Sequence, residues 1–75
     1  MDAKWRKFSD VNRRFSLFEL IISGNTMFDL GYNQDHVLEI AFHEGASNWV
    51  VSWALFEKIV QEGIRMADED IDHDE

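Results

Sequence analysis

The side chains in this sequence that are able to do chemistry are mainly carboxylates and three histidines, and their spacing matches no metal motif. His43-Glu44 begins like the helix of zinc peptidases, but Ser47 stands where the second histidine ligand is required. The chain contains no cysteine, so thiolate metal sites and disulfide bonds are excluded. The sequence therefore contains no motif for a metal site.

Nucleophile, phosphate and calcium motifs are also missing. The four glycines fit neither a phosphate-binding loop nor a dinucleotide fingerprint, and no serine lies in a nucleophile elbow. Asp68, Asp70 and Asp72 alternate as in a calcium loop, but such a loop needs glycine at its sixth position, where His73 stands. We expect a protein that binds rather than an enzyme, with no catalytic residue, metal or cofactor.

The composition is that of one small folded domain. The chain has 75 residues, of which 45% are apolar, including six Phe and three Trp. That apolar content is too high for a disordered chain, despite a net charge of −8. No apolar run approaches the ~20 residues that span a bilayer, and no signal-peptide pattern follows the first basic residues. We expect a cytoplasmic protein without a membrane partner.

Three consecutive segments carry the alternation of strands. Residues 15–22, 26–32 and 36–43 place apolar side chains at every second position, and the intervening residues 23–26 and 33–35 are turn formers. The first segment is apolar on both faces, which favours a central strand. Residues 49–51 are apolar and partly β-branched, so they form either a short fourth strand or a crossing segment.

A helix is predicted after these strands. Ser52 is a candidate N-cap, and apolar residues recur from Trp53 to Ala67 at steps of three and four. Trp53 is expected in the core, whereas Trp49 and Trp5 fit a core or an interface position equally well. The fold class is α+β: a three- to four-stranded antiparallel meander with a C-terminal amphipathic helix packed on one face.

The two ends of the chain differ from the middle. Residues 1–14 carry a charge of +3 and are expected to form a basic N-terminal arm or a short helix. Residues 15–67 form the α+β domain. Residues 68–75 are expected to be a disordered acidic tail, because carboxylates at the C-terminus of a helix oppose its dipole.

Charge indicates the kind of partner. Residues 15–75 carry a charge of −11, which repels nucleic acid and attracts basic proteins. If several carboxylates converge, they imitate phosphates in front of a basic cleft; if they are scattered, they are ordinary solvated charge. The candidate partner-binding residues are Asp29, Asp35, Glu39, Glu44, Trp49, Glu57 and Glu62.

The sequence resembles a known class of proteins over roughly residues 15–68. Residues 28–31, 35–45 and 51–53, followed by the helix to Ala67, look like the small bacterial immunity proteins of polymorphic and contact-dependent toxin systems. That resemblance implies a small acidic inhibitor that binds a toxin domain and blocks its active site or its access to substrate. The leading hypothesis is an immunity-type inhibitor of a basic toxin or nucleic-acid-processing protein.

Two other functions are weighed against it. A small sheet has exposed edges, so the chain is alternatively a structural or adaptor domain that acts as a homodimer through a sheet edge or the N-terminal arm. Direct nucleic-acid binding would rest on the five basic residues of the first fourteen. These offer too little basic surface beside the acidic body.

Overall fold

A computed structural model describes residues 2–72 of the chain. Its elements are β1 (Ala3–Phe8), β2 (Leu17–Ile22), β3 (Asn25–Tyr32), β4 (Leu38–Phe42), a short 3-10 helix (Glu44–Ala46) and α1 (Trp53–Asp72). The strands form one antiparallel sheet in the order β1-β2-β3-β4, so each strand pairs with its neighbour in sequence. The predicted α+β meander with a C-terminal helix is confirmed.

Two tight turns fix the register of the central hairpins. Ser23 and Gly24 join β2 to β3 with φ values of 50° and 83°, as a two-residue turn with positive φ at both positions requires. Between β3 and β4, the side-chain oxygen of Asn33 accepts hydrogen bonds from the backbone N–H groups of Asp35 (2.8 Å) and Val37 (3.1 Å). Both turns lie where the sequence predicted them.

The N-terminal segment is a strand, which corrects the expectation of an arm or short helix. β1 pairs along its whole length with β2, and Trp5 lies opposite Leu20. Successive side chains of β1 point to opposite faces of the sheet, as they do in any strand. Trp5 faces the helix side, while Lys4 and Arg6 face the other side. The spacing of Trp5 and Phe8, three residues apart, also fits one face of a helix.

The core lies between the helix and one face of the sheet. Phe28 is fully buried at its centre, and Leu20 and Leu30 are almost so. From the helix, Ile59 and Ala67 complete the buried set. The neighbouring aromatic rings therefore pack on Phe28 of β3.

The helix begins at its predicted cap and approaches the sheet closely. Ser52 Oγ accepts a hydrogen bond of 3.2 Å from the backbone N–H of Leu55, which satisfies one of the free donors of the first turn. Gly63 faces the sheet, where a Cβ would lie only 2.6 Å from Cη2 of Trp5 and 2.9 Å from Cδ2 of Leu30. Glycine at this position allows the helix to rest directly on the Trp5 ring.

The helix continues beyond the point where a disordered acidic tail was expected. Residues 68–72 belong to α1, while residues 73–75 of that predicted tail lie outside the described part of the chain. Asp70 accepts hydrogen bonds from the backbone N–H of Ser16 (3.0 Å) and pairs with Lys7 Nζ (3.1 Å). The Tyr32 hydroxyl donates to Asp68 over 2.5 Å. These contacts with the sheet offset the unfavourable interaction of the carboxylates with the helix dipole.

The close contact between Gly63 and Trp5 can be tested by mutation. A helical Gly→Ala change gains about 1 kcal/mol of helix propensity, whereas overpacking a core site costs about 1–3 kcal/mol. We expect Gly63→Ala to lower the free energy of unfolding by about 1 kcal/mol in urea titrations followed by circular dichroism. In a Trp5→Leu background the loss should shrink by a similar amount. An identical loss in both backgrounds would show that Trp5 does not select glycine here.

The contact between Tyr32 and Asp68 predicts a dependence of stability on alkaline pH. The hydrogen bond to Asp68 raises the pKa of Tyr32 above its ordinary 10.0, and burial and the charges of Asp68 and Asp72 act in the same direction. The folded chain thus holds this proton more tightly than the unfolded chain. The stabilisation is complete below pH 10 and is lost as pH rises towards the raised pKa.

Because Tyr32 is the only tyrosine, its ionisation can be followed directly by tyrosinate absorbance. We expect Asp68→Asn to bring the pKa of Tyr32 down towards 10.0, since the anionic acceptor and its charge are both removed. Lys58→Gln, which changes a charge elsewhere on α1, is the control. An unchanged titration in Asp68→Asn would mean that this hydrogen bond does not hold the proton.

Candidate protein-binding surface

The helix covers only part of the sheet, and this exposes strand β4. Packing of α1 is chiefly against β2 and β3, and Gly63 lies on Trp5 of β1. On β4, Ile40 and Phe42 face the helix side, opposite Leu30 and Phe28 of β3. They nevertheless remain 42% and 60% exposed.

A continuous apolar surface runs along β4 and the adjoining side of the helix. We call it the apolar strip and define it as Leu38, Ile40 and Phe42 of β4, Trp53, Phe56, Val60 and Ile64 of α1, and Trp49 and Val51 of the connecting loop. The members on each element recur at the period of that element, so they lie in one line. The strip combines an edge strand with one flank of a helix.

One end of the strip is an aromatic groove with a volume of about 300 Å³. Its rings rest on the buried Phe28: the ring centroids of Phe42, Phe56 and Trp49 lie 5.8, 6.0 and 6.5 Å from that of Phe28. Phe42 and Phe56 also stack on each other at 6.4 Å with an angle of 20° between their planes. Because the rings support each other, the groove is preformed.

Trp53 is exposed, which corrects its predicted place in the core. It is 72% exposed at the first position of α1 and leans on Phe56 with 6.0 Å between centroids. Trp49 is half-buried against Phe28 and Phe56. Residues 49–51 form no strand; they are an irregular connection that brings Trp49 and Val51 to the groove.

On the outer face of the sheet, the predicted residue Asp29 belongs to a row of paired charges. Glu19 and Asp29 lie directly opposite each other on β2 and β3, where like charges are unfavourable. Each carboxylate has a cationic or basic partner: Arg6 Nη2 lies 3.0 Å from Glu19, and His43 Nε2 lies 2.6 Å from Asp29. Sequence reasoning missed Glu19, and both carboxylates are engaged within the sheet.

The remaining predicted carboxylates do not form one acidic face. Glu39 lies between two strip residues on β4, Glu44 begins the 3-10 helix just after Phe42, and Glu57 lies one turn from Trp53. Glu62 is about 140° from Glu57 around the helix, and Asp35 lies in the β3–β4 turn. Three of the predicted residues therefore border the strip, and two lie away from it.

Comparison of the chain with protein-family models, curated proteins and solved structures finds no match. Among residues 2–72, no three histidine, aspartate or glutamate side chains are grouped as a metal ion would require. No helix within those residues is long and apolar enough to cross a membrane.

The different burial of the two tryptophans predicts different roles. We expect Trp49→Ala to lower the free energy of unfolding by about 2 kcal/mol, because a half-buried ring is removed from contact with Phe28. We expect Trp53→Ala to lower it by less than about 1 kcal/mol, as is usual for an exposed side chain. Urea unfolding followed by circular dichroism compares them. Equal losses would assign Trp53 to the core rather than to a binding surface.

Proposed function

We propose that this chain is a non-enzymatic protein-binding module and that the apolar strip is its contact surface. The observation that carries the proposal is the exposure of Phe42 and Trp53 on a preformed aromatic groove. Tryptophan and other aromatic side chains are enriched among the residues that dominate binding energy at protein interfaces. A rigid groove also loses little conformational entropy when a partner binds.

The exposed apolar area supports this proposal. If a fully exposed aromatic side chain presents roughly 200 Å², Phe42 and Trp53 together leave roughly 260 Å² uncovered. Ile40, which is 42% exposed, adds to this area. The total reaches the roughly 300–600 Å² typical of the largest apolar patch on a monomer, and such patches are often functional.

The charges beside the strip favour a basic partner. Glu39, Glu44 and Glu57 border it, and the chain as a whole has a net charge of −8. An apolar centre with an acidic rim matches a partner that has apolar anchors within a basic surface. The specific form of the proposal is an immunity-type inhibitor that covers a basic toxin domain or nucleic-acid-processing protein.

Capture of the partner tests the contact surface. The immobilised chain is exposed to lysate of its source cells at low salt, bound proteins are eluted with a salt step, and they are identified by mass spectrometry. We expect a basic protein at near-equal stoichiometry, retained by wild type and lost by Phe42→Ser. Val11→Ser is the matched control, because Val11 is fully exposed in the β1–β2 loop, at the opposite end of the sheet. Equal capture by both variants would exclude the strip.

Charge reversal tests the basic partner separately. Glu57→Lys should weaken the complex about tenfold, because it places a positive charge beside Trp53. Glu62→Lys makes the same change in net charge on the far side of the helix and should have a smaller effect. Added salt should slow association with wild type. Equal effects of the two reversals would mean that the charge near the strip does not guide binding.

A further inference from the structure

The two edges of the sheet are protected differently. β1 carries Lys4, Arg6 and Lys7, and charged side chains of this kind prevent further strands from pairing with an edge. β4 has the sequence Leu-Glu-Ile-Ala-Phe, without lysine, arginine, proline or a bulge. Within residues 2–72, β4 is therefore an edge open to further pairing.

The backbone of β4 shows which of its groups are available. The N–H of His43 donates to Met27 of β3, and the carbonyl of Val37 accepts from Asn33, so the odd-numbered residues turn their backbone groups towards β3. In an antiparallel sheet successive residues turn these groups in opposite directions. The N–H and C=O groups of Leu38, Ile40 and Phe42 thus point outward from the sheet.

We propose that β4 of a second copy of this chain pairs antiparallel with β4, about a two-fold axis at Ile40, and joins the two sheets. In this register Ile40 lies opposite Ile40 of the second copy, and Leu38 lies opposite Phe42. These are hydrogen-bonding pairs, because the outward backbone groups belong to the same residues. With the two-fold axis at Ile40, the β4 strands of the two copies pair along their full length.

The side chains of β4 are complementary to themselves in this register. On the helix side, each exposed Phe42 gains an apolar neighbour in Leu38 of the second copy, and the two Ile40 side chains meet. On the outer side, Glu39 lies opposite Ala41 rather than opposite Glu39. The diagonal neighbours of Glu39 are then His43 and Glu39 of the second copy. The pairing therefore joins apolar residues and avoids placing two carboxylates directly face to face.

The β4 strand of a second copy has the chemistry that this edge requires. The occupant must supply an extended strand with apolar side chains at alternate positions, and Leu38, Ile40 and Phe42 are such a set. The inference concerns the same strip as the proposed function and goes beyond it, because it assigns the strip a second occupant. Self-pairing and a different partner then compete, because both need Phe42 and Ile40.

Salt distinguishes the two occupants by the direction of its effect. Each copy has a net charge of −8, so two copies repel each other and added salt should strengthen self-pairing. A basic partner is attracted by the same charge, and added salt should weaken its complex.

Sedimentation equilibrium tests the pairing. We expect wild type to approach twice the 8.8 kDa mass of the chain at concentrations up to about 1 mM, the weak end of specific association. Ile40→Lys should weaken the dimer about 100-fold or more, because the two lysines would face each other. Val11→Lys adds the same charge at a fully exposed loop position and should dimerise like wild type. Circular dichroism verifies that both variants fold.

Cysteine cross-linking tests the register, since the chain contains no cysteine of its own. Ile40→Cys should form a disulfide-linked dimer fastest. The Cα atoms of a hydrogen-bonded pair are about 5.5 Å apart, within the range that a disulfide bridges. Glu39→Cys and Ala41→Cys are the controls, because in this register neither residue lies opposite the same residue of the second copy. Faster linkage at either control, or linkage at none, would overturn the proposed pairing.

The outcomes separate the inference from the proposed function. A wild-type chain that stays at 8.8 kDa at every concentration and salt overturns the inference, while loss of another partner in Phe42→Ser still supports the strip. A dimer that persists in Ile40→Lys also overturns it, since another surface must then hold the copies together. A dimer that needs Ile40, together with partner capture unaffected by Phe42→Ser, supports the pairing and removes the proposed hetero-partner site.

Discussion

The structure depends on how one helix is placed on a sheet that is wider than the helix. Four strands spaced about 4.8 Å apart span roughly 14 Å between the outer strand axes, whereas a helix is about 10 Å across with its side chains. The helix must therefore leave part of the sheet uncovered, and α1 packs chiefly on the two central strands, β2 and β3. Trp5, the one partly buried residue of β1, contacts α1 at Gly63. On β4, Ile40 and Phe42 remain exposed.

Much of the architecture could be predicted from the sequence because it depends on local periodicity. Alternation identified the three strands from β2 to β4, and Ser52 followed by an apolar stripe identified the start of α1. β1 was not predicted because Trp5 is the only large apolar side chain on its helix-facing side. The alternation of apolar and polar residues is therefore hardly visible in this strand. The sequence did not predict that the last turns of α1 are helical. They are held by contacts of Asp68 and Asp70 with Tyr32 and Ser16, which are distant in sequence.

The candidate surface was less predictable, for a geometric reason. The pattern in β4 indicates correctly that Ile40 and Phe42 face the helix side, but periodicity does not tell whether a helix reaches them. Trp53 was assigned to the core for the same reason. Of the predicted carboxylates, Asp29 is engaged by His43, which sequence spacing could not show. Glu39, Glu44 and Glu57 border the strip only because β4, the 3-10 helix and α1, which carry them, meet there.

The order of the elements along the chain has a consequence for synthesis on the ribosome. All four strands precede α1, so they emerge before the segment that covers them. A lone sheet of this size has one apolar face and nothing to bury it against. Until the helix has been made, Phe28 and its neighbours stay accessible to chaperones and to other nascent chains. The chain therefore completes its core only after translation of the helix.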